Sequence, residues 1–138
     1  MKVLDLMTQE VHTLPPEASL RDAWQLMRAQ HIRQIPIVEN GLLVGIVTDR
    51  DVKRALPSLF SKAKENEVDT VLDMTTVGRV MTREPFTVTS SDPIRKPLDL
   101  MIDRKIGGVP VVDEGKLVGI VSDMDFLKLV REQLTDSD

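Results

Sequence analysis

Thr48 and Asp51 stand three residues apart at the end of an apolar run, and Ser122 and Asp125 repeat the pair further along the chain. The full stretches are Gly45-Ile46-Val47-Thr48-Asp49-Arg50-Asp51 and Gly119-Ile120-Val121-Ser122-Asp123-Met124-Asp125. A carboxylate placed this way can accept two hydrogen bonds from a vicinal diol such as a ribose. Charged bonds of that kind contribute about 1.5–3 kcal/mol each. The hydroxyl, with the free N–H groups of a first helical turn, can take a phosphate oxygen. Thr, Ser and Asp are also the usual helix caps, so capping is the competing reading for either copy alone. The duplication, which keeps Asp49 and Asp123 as well, favours a ligand role for both pairs.

Basic residues lie at a second repeated place: His31 and Arg33 before one apolar stretch, Arg104 and Lys105 before its counterpart. A cation there can neutralise phosphate, although on a solvated surface it has no specific task. Gly107-Gly108 stand where the first copy has Arg33-Gln34. This either removes a phosphate contact or lets backbone approach a ligand closely.

Catalytic sets are missing. The only histidines are His12 and His31, without the His-Glu-x-x-His spacing of a zinc site, and no glycine-rich phosphate loop occurs. Ser58 and Ser61 have no nucleophile-elbow context. The chain has no cysteine, which excludes disulfides, thiolate metal sites and a cysteine nucleophile. We therefore expect no enzyme and no metal. A net charge of −4 and an aromatic share of 3% argue against general nucleic-acid binding. No apolar run is long enough to span a membrane and no signal peptide opens the chain, so a cytoplasmic protein is expected.

The elements that position these residues follow from an internal repeat. Shifting the 138-residue chain by 74 aligns 7–56 with 81–130 without a gap, and roughly 18 of the 50 pairs are identical. Val11 to Leu14 reads as a short strand ended by Pro15-Pro16. Ser19 caps a helix with Asp22 as its capping-box partner, and Leu20, Ala23, Trp24 and Met27 recur at helical spacing. Ile35 to Val38 and Leu42 to Val47 are strands joined by a tight turn at Asn40-Gly41. A helix from Asp49 to Leu56 closes the unit. In the second copy Asp92 is expected to cap, with Pro93 at the first helical position, and Pro97 at the fifth to kink that helix.

The expected fold is α/β (α+β): two tandem β-α-β-β-α repeats packed as an intramolecular pseudo-two-fold pair. The β-α-β step should leave its flanking strands parallel. The boundaries expected are 1–56 for the first repeat, 57–75 for a partly helical linker, 76–131 for the second repeat and 132–138 for a frayed tail. Within the linker, Pro57 ends the preceding helix, the stretch from Ser61 to Glu67 is polar, and Val68, Val71, Leu72 and Met74 give a short apolar helical face, read as a bridging helix with a plain surface linker as the equal alternative.

With these residues in view, the chain resembles a tandem pair of cystathionine β-synthase-type (CBS) domains over nearly all of 2–131. The marks are Met-Thr at the start of each repeat, Ile35-Pro36-Ile37-Val38 with Val109-Pro110-Val111-Val112, and the Gly-x-x-[Thr/Ser]-x-x-Asp junctions. The short form with a helical linker is similar to the CBS part of acetoin-utilisation-type proteins. The resemblance implies a regulatory module without catalysis. It also implies two clefts between the repeats for adenosine-containing ligands: AMP, ADP, ATP or S-adenosylmethionine.

By that resemblance Asp51 and Asp125 hold the ribose, with Thr48 and Ser122 beside them. Adenine lies near Thr13, Ile32 and Arg33 in one site, and near Thr87, Ile106 and Gly107 in the other. Phosphate contacts come from the opposite repeat, so Arg33 and Gln34 serve the Asp125 site while Gly107 and Gly108 serve the Asp51 site, which makes the Asp125 site the better one. The resemblance further implies a homodimer stacked through its helices; the apolar positions Met27, Met101, Phe126 and Leu129 either support it or fill the intramolecular core. Two rivals stand beside this reading: a structural dimerisation module with vestigial clefts, and a small nucleotide hydrolase.

Overall fold

The computed structural model describes residues 1–56 and 65–134. In chain order it contains helices α1 (Val3–Leu6) and α2 (Leu20–Gln30), strands β1 (Gln34–Glu39) and β2 (Leu42–Thr48), and helices α3 (Asp49–Ala55), α4 (Glu65–Met74) and α5 (Val77–Val80). Strand β3 (Thr82–Arg83), helix α6 (Arg95–Arg104), strands β4 (Gly108–Asp113) and β5 (Lys116–Ser122), and helix α7 (Asp123–Gln133) follow. This is a mixed α+β architecture in which each repeat supplies an antiparallel hairpin and its own helices. The Pro57 stop, the polar stretch from Ser61 up to residue 64 and the tail beyond 134 lie outside the described residues.

The chain divides into two compact units, His12–Glu84 on one side and Met1–Val11 with Pro85–Asp138 on the other. In the 12–84 unit, Ser19 and Asp22 form the expected capping box at the start of α2. The helix ends at His31 in the left-handed region, φ 54°. Between β1 and β2 the turn places Asn40 at φ 53° and Gly41 at φ 79°, the positive-φ pair that Asn-Gly tolerates best. The strand expected over Val11 to Leu14 shrinks to one parallel bridge, Leu14 to Ile37. Pro15 and Pro16 have no N–H with which to extend it. Strand β3 runs antiparallel along the other edge of the hairpin, pairing Thr82 with Ile46.

Leu20, Ala23, Met27, Ile35, Ile37, Val47, Val52, Leu72 and Val77 form the core of this unit, and Trp24 packs half-buried against it. Burying each large aliphatic side chain contributes about 1.5–3 kcal/mol. The apolar face expected near residue 70 is α4, which buries Leu72 and leaves Met74 exposed. Arg21 ties α2 to α4 by reaching both Asp69 and Asp73. These two carboxylates, Asp73 foremost, raise the guanidinium pKa still further.

The other unit repeats the plan. Its hairpin turn holds Glu114 at φ 50° and Gly115 at φ 81°, and Val88 bridges Val111 in the parallel sense. Val3, Val88, Met101, Val109, Val111, Val121 and Phe126 form its core. The expected start of the second-copy helix needs correction. Helix α6 begins only at Arg95, so Pro97 falls in its first turn, where its missing N–H has no intrahelical partner to lose. Pro93 lies outside the helix, bridged to Lys2. Asp92 does not cap it either, because its Oδ2 accepts from the Thr89 N–H at 2.8 Å.

Of the two readings open to Met27, Met101 and Phe126, a dimer face or the core, all three take the core. The outward apolar residues of α7 are Met124, Leu127 and Val130.

The leading segments have exchanged places relative to the repeats. Helix α5 and β3 open the second repeat in sequence yet pack in the 12–84 unit, where the Val77 N–H bonds the Ala18 carbonyl at 2.8 Å. Helix α1, its equivalent under the 74-residue shift, packs in the other unit, where the Val3 N–H bonds the Asp92 carbonyl at 2.8 Å.

Candidate functional site

Each candidate site is built where a hairpin strand hands over to a helix. Thr48 ends β2 and is the N-cap of α3, with extended backbone at φ −111°, ψ 163°. Its N–H donates to Asp51 Oδ2 at 2.9 Å, and the Asp51 N–H donates to Thr48 Oγ1 at 3.2 Å. Gln34 faces Thr48 in the β1–β2 register, and the Asp49 N–H donates to the Arg33 carbonyl at 3.0 Å. The start of β1 and the start of α3 therefore bring Arg33, Gln34, Thr48 and Asp51 together. Ile32 follows the α2 cap, with its N–H on the Met27 carbonyl, and packs half-buried against the core. Thr13 is exposed on the far edge of β1, next to Leu14, whose N–H reaches the Pro36 carbonyl.

The second junction has the same construction. Ser122 is the N-cap of α7, at φ −115°, ψ 166°. Asp125 Oδ2 accepts from the Ser122 N–H at 2.8 Å and from the Ser122 hydroxyl at 3.3 Å. Gly108 faces Ser122 in register, and the Asp123 N–H donates to the Gly107 carbonyl at 3.0 Å. Ile106 repeats Ile32, with its N–H on the Met101 carbonyl, and exposed Thr87 precedes Val88, which reaches Pro110.

Capping, the competing reading of these pairs, is thus realised at both junctions. It does not exhaust the carboxylates. The box uses Oδ2 of each aspartate and holds the half-buried side chain in one orientation, with Oδ1 directed elsewhere. At Asp125 that second oxygen accepts from Thr8 Oγ1 at 3.4 Å. The ligand reading of the residues left Thr8 out. Its signal was the Met-Thr pair that opens each repeat. Such a carboxylate is a fixed anionic acceptor, suited to hydroxyl donors. Among the described residues no group of three or more His, Asp or Glu is placed to hold a metal ion, and no helix is long and apolar enough to cross a membrane.

Known proteins share this arrangement. An acetoin utilization protein (AcuB), as the Vibrio cholerae structure is described, superposes with a TM-score of 0.79 at 34% identity, covering 96% of this chain and 92% of that one. The CBS domain pair of protein MJ0100, in complex with 5′-methylthioadenosine and S-adenosyl-L-methionine, gives a TM-score of 0.80 at 29% identity, with 97% and 98% covered. CBSX2 in complex with AMP gives 0.77 at 28% identity, with 96% and 97% covered. Residues 3–58 and 77–132 each match the CBS domain. The chain belongs to the CBS domain family and carries the domain twice in tandem.

Proposed function

We propose that this chain is a regulatory, non-catalytic module that binds an adenosine-containing ligand (AMP, ADP, ATP or S-adenosylmethionine) through Asp51 and Asp125. The observation that carries this reading is the orientation of the two carboxylates. Each is anchored by Oδ2 in its capping box, so Oδ1 meets a ribose diol without a rotamer search. Preorganisation of this kind lowers the ordering entropy lost on binding. The adenosine compounds bound by MJ0100 and CBSX2 support the ligand class. In this reading Thr48 and Ser122 flank the ribose. The adenine neighbourhoods are Thr13, Ile32 and Arg33, and Thr87, Ile106 and Gly107, while Gln34 and Gly108 are phosphate-facing positions. No obligatory cofactor is involved.

We further propose a homodimer, in which Leu129, half-exposed, keeps its expected place and the outward apolar residues Met124, Leu127 and Val130 of α7 join it. Regulation requires more than binding, since a ligand shifts a conformational equilibrium only by its difference in affinity for the two states.

A thermal-shift panel of AMP, ADP, ATP and S-adenosylmethionine tests the ligand class. At a hundredfold excess over its dissociation constant, a true ligand stabilises by about 2.7 kcal/mol. One observation favours a second reading: both aspartates already serve capping boxes within their own chain. An interaction module with vestigial sites would show no shift with any member of the panel.

A further inference from the structure

We infer that Thr8 controls access to Asp125 and so sets the affinity of that site for a diol. The inference rests on the adenosine-binding reading above. Thr8 belongs to the leading segment of the 85–138 unit. It is clamped to β5 in both directions: its N–H donates to the Ile120 carbonyl at 2.9 Å, and the Ile120 N–H donates to its own carbonyl at 3.0 Å. Further up the segment Val3 is fully buried, and the Leu4 N–H bonds the Ser90 carbonyl at 2.9 Å. The hydroxyl of Thr8 is therefore delivered to Asp125 by ordered backbone.

What it meets is Oδ1, the oxygen that the capping box leaves over. A diol seeking that oxygen must displace the threonine hydroxyl or share its lone pairs. At 3.4 Å the Thr8 bond is long for an O–H donor, hence a bond that a well-placed ligand hydroxyl can replace.

The other half of the molecule supplies the comparison. Thr82 is the residue equivalent to Thr8, and it pairs with Ile46 of β2 as Thr8 pairs with Ile120. Among the described residues, however, Thr82 makes no hydrogen bond to Asp51. Two junctions with the same backbone plan thus differ by one hydrogen bond, and only at Asp125 does a diol meet a competitor already in place.

Calorimetry with AMP and with 2′,3′-dideoxy-AMP tests this, in an Asp51→Ala background that isolates the Asp125 site. Thr8→Val should tighten AMP by about two- to tenfold, the range expected for one net hydrogen bond. Dideoxy-AMP should show no gain, and Thr8→Ser, which keeps a hydroxyl, should bind AMP as the parent does. If AMP binding is abolished by Asp125→Ala but Thr8→Val leaves it unchanged or weaker, the inference is overturned while the adenosine reading stands. If neither wild type nor any variant binds AMP or the other adenosine ligands, the adenosine reading fails and takes this inference with it. Melting curves of each variant separate a loss of binding from a loss of folding.

Discussion

The sulfur of Met7 lies directly over Gly119 in the middle of β5. A Cβ at Gly119 would stand 2.7 Å from Met7 Sδ and 2.9 Å from the Thr8 carbonyl oxygen. The first neighbour is a flexible side chain, whereas the second is backbone held by the Ile120 N–H. Gly119→Ala should therefore destabilise by about 1–3 kcal/mol, the usual range for overpacking. Urea denaturation measures it. Adding Met7→Ala should recover only part of the loss, because the carbonyl remains in the way. Full recovery would place the whole conflict on the thioether.

The capping boxes separate structural from ligand roles. Ser122→Ala removes the cap hydroxyl of α7 but keeps the carboxylate and the backbone N–H that anchors it, and should lower stability by about 1 kcal/mol while weakening adenosine binding less than Asp125→Ala does. Asp125→Ala should lower stability similarly and also weaken binding in calorimetry. Asp51→Ala should do the same for its own site, and the two losses compared directly rank the sites. A larger loss from Asp51→Ala would reverse the order expected from the flanking arginine and glycines.

Asp113 gives a pH signature. The Ser90 hydroxyl donates to one of its oxygens and the Ser90 N–H to the other at 3.0 Å, which together hold its carboxyl below the usual range. A carboxylate depressed in the folded state stabilises the fold above its unfolded pKa, near 3.9. That contribution is lost as pH falls through the folded value. Ser90→Ala removes the hydroxyl bond, the largest cause of the shift. The Asp113 resonance should then titrate at higher pH, and the acid limb of the melting profile should flatten. An unmoved titration would show that the hydroxyl contributes nothing.

Local chemistry was legible where local chemistry decides. Ser19 with Asp22, Asn40-Gly41 and the two strand-to-helix junctions each carry their conformation within a few residues, and the structure keeps them. Asp92 and Pro93 failed as a helix start for a physical reason: the Thr89 N–H and a bridge to Lys2 claim them first. The Val11–Leu14 strand was over-read because prolines limit its pairing to one bridge. Helices α1 and α5 are one turn each and leave no periodicity to detect. Thr8 reaches Asp125 across 117 positions, a pairing that no window along the chain contains.

The exchange of leading segments has a consequence for biosynthesis. Ribosomes elongate at about 5–20 residues per second, so Thr8 is made on the order of ten seconds before the strand end and aspartate it joins. Until then Val3, bound for a dry interior, waits outside, while the 12–84 unit already has all of its own parts once residue 84 emerges. The unit whose first segment is made earlier is completed later, because that segment must wait for the strands and helices that follow residue 84.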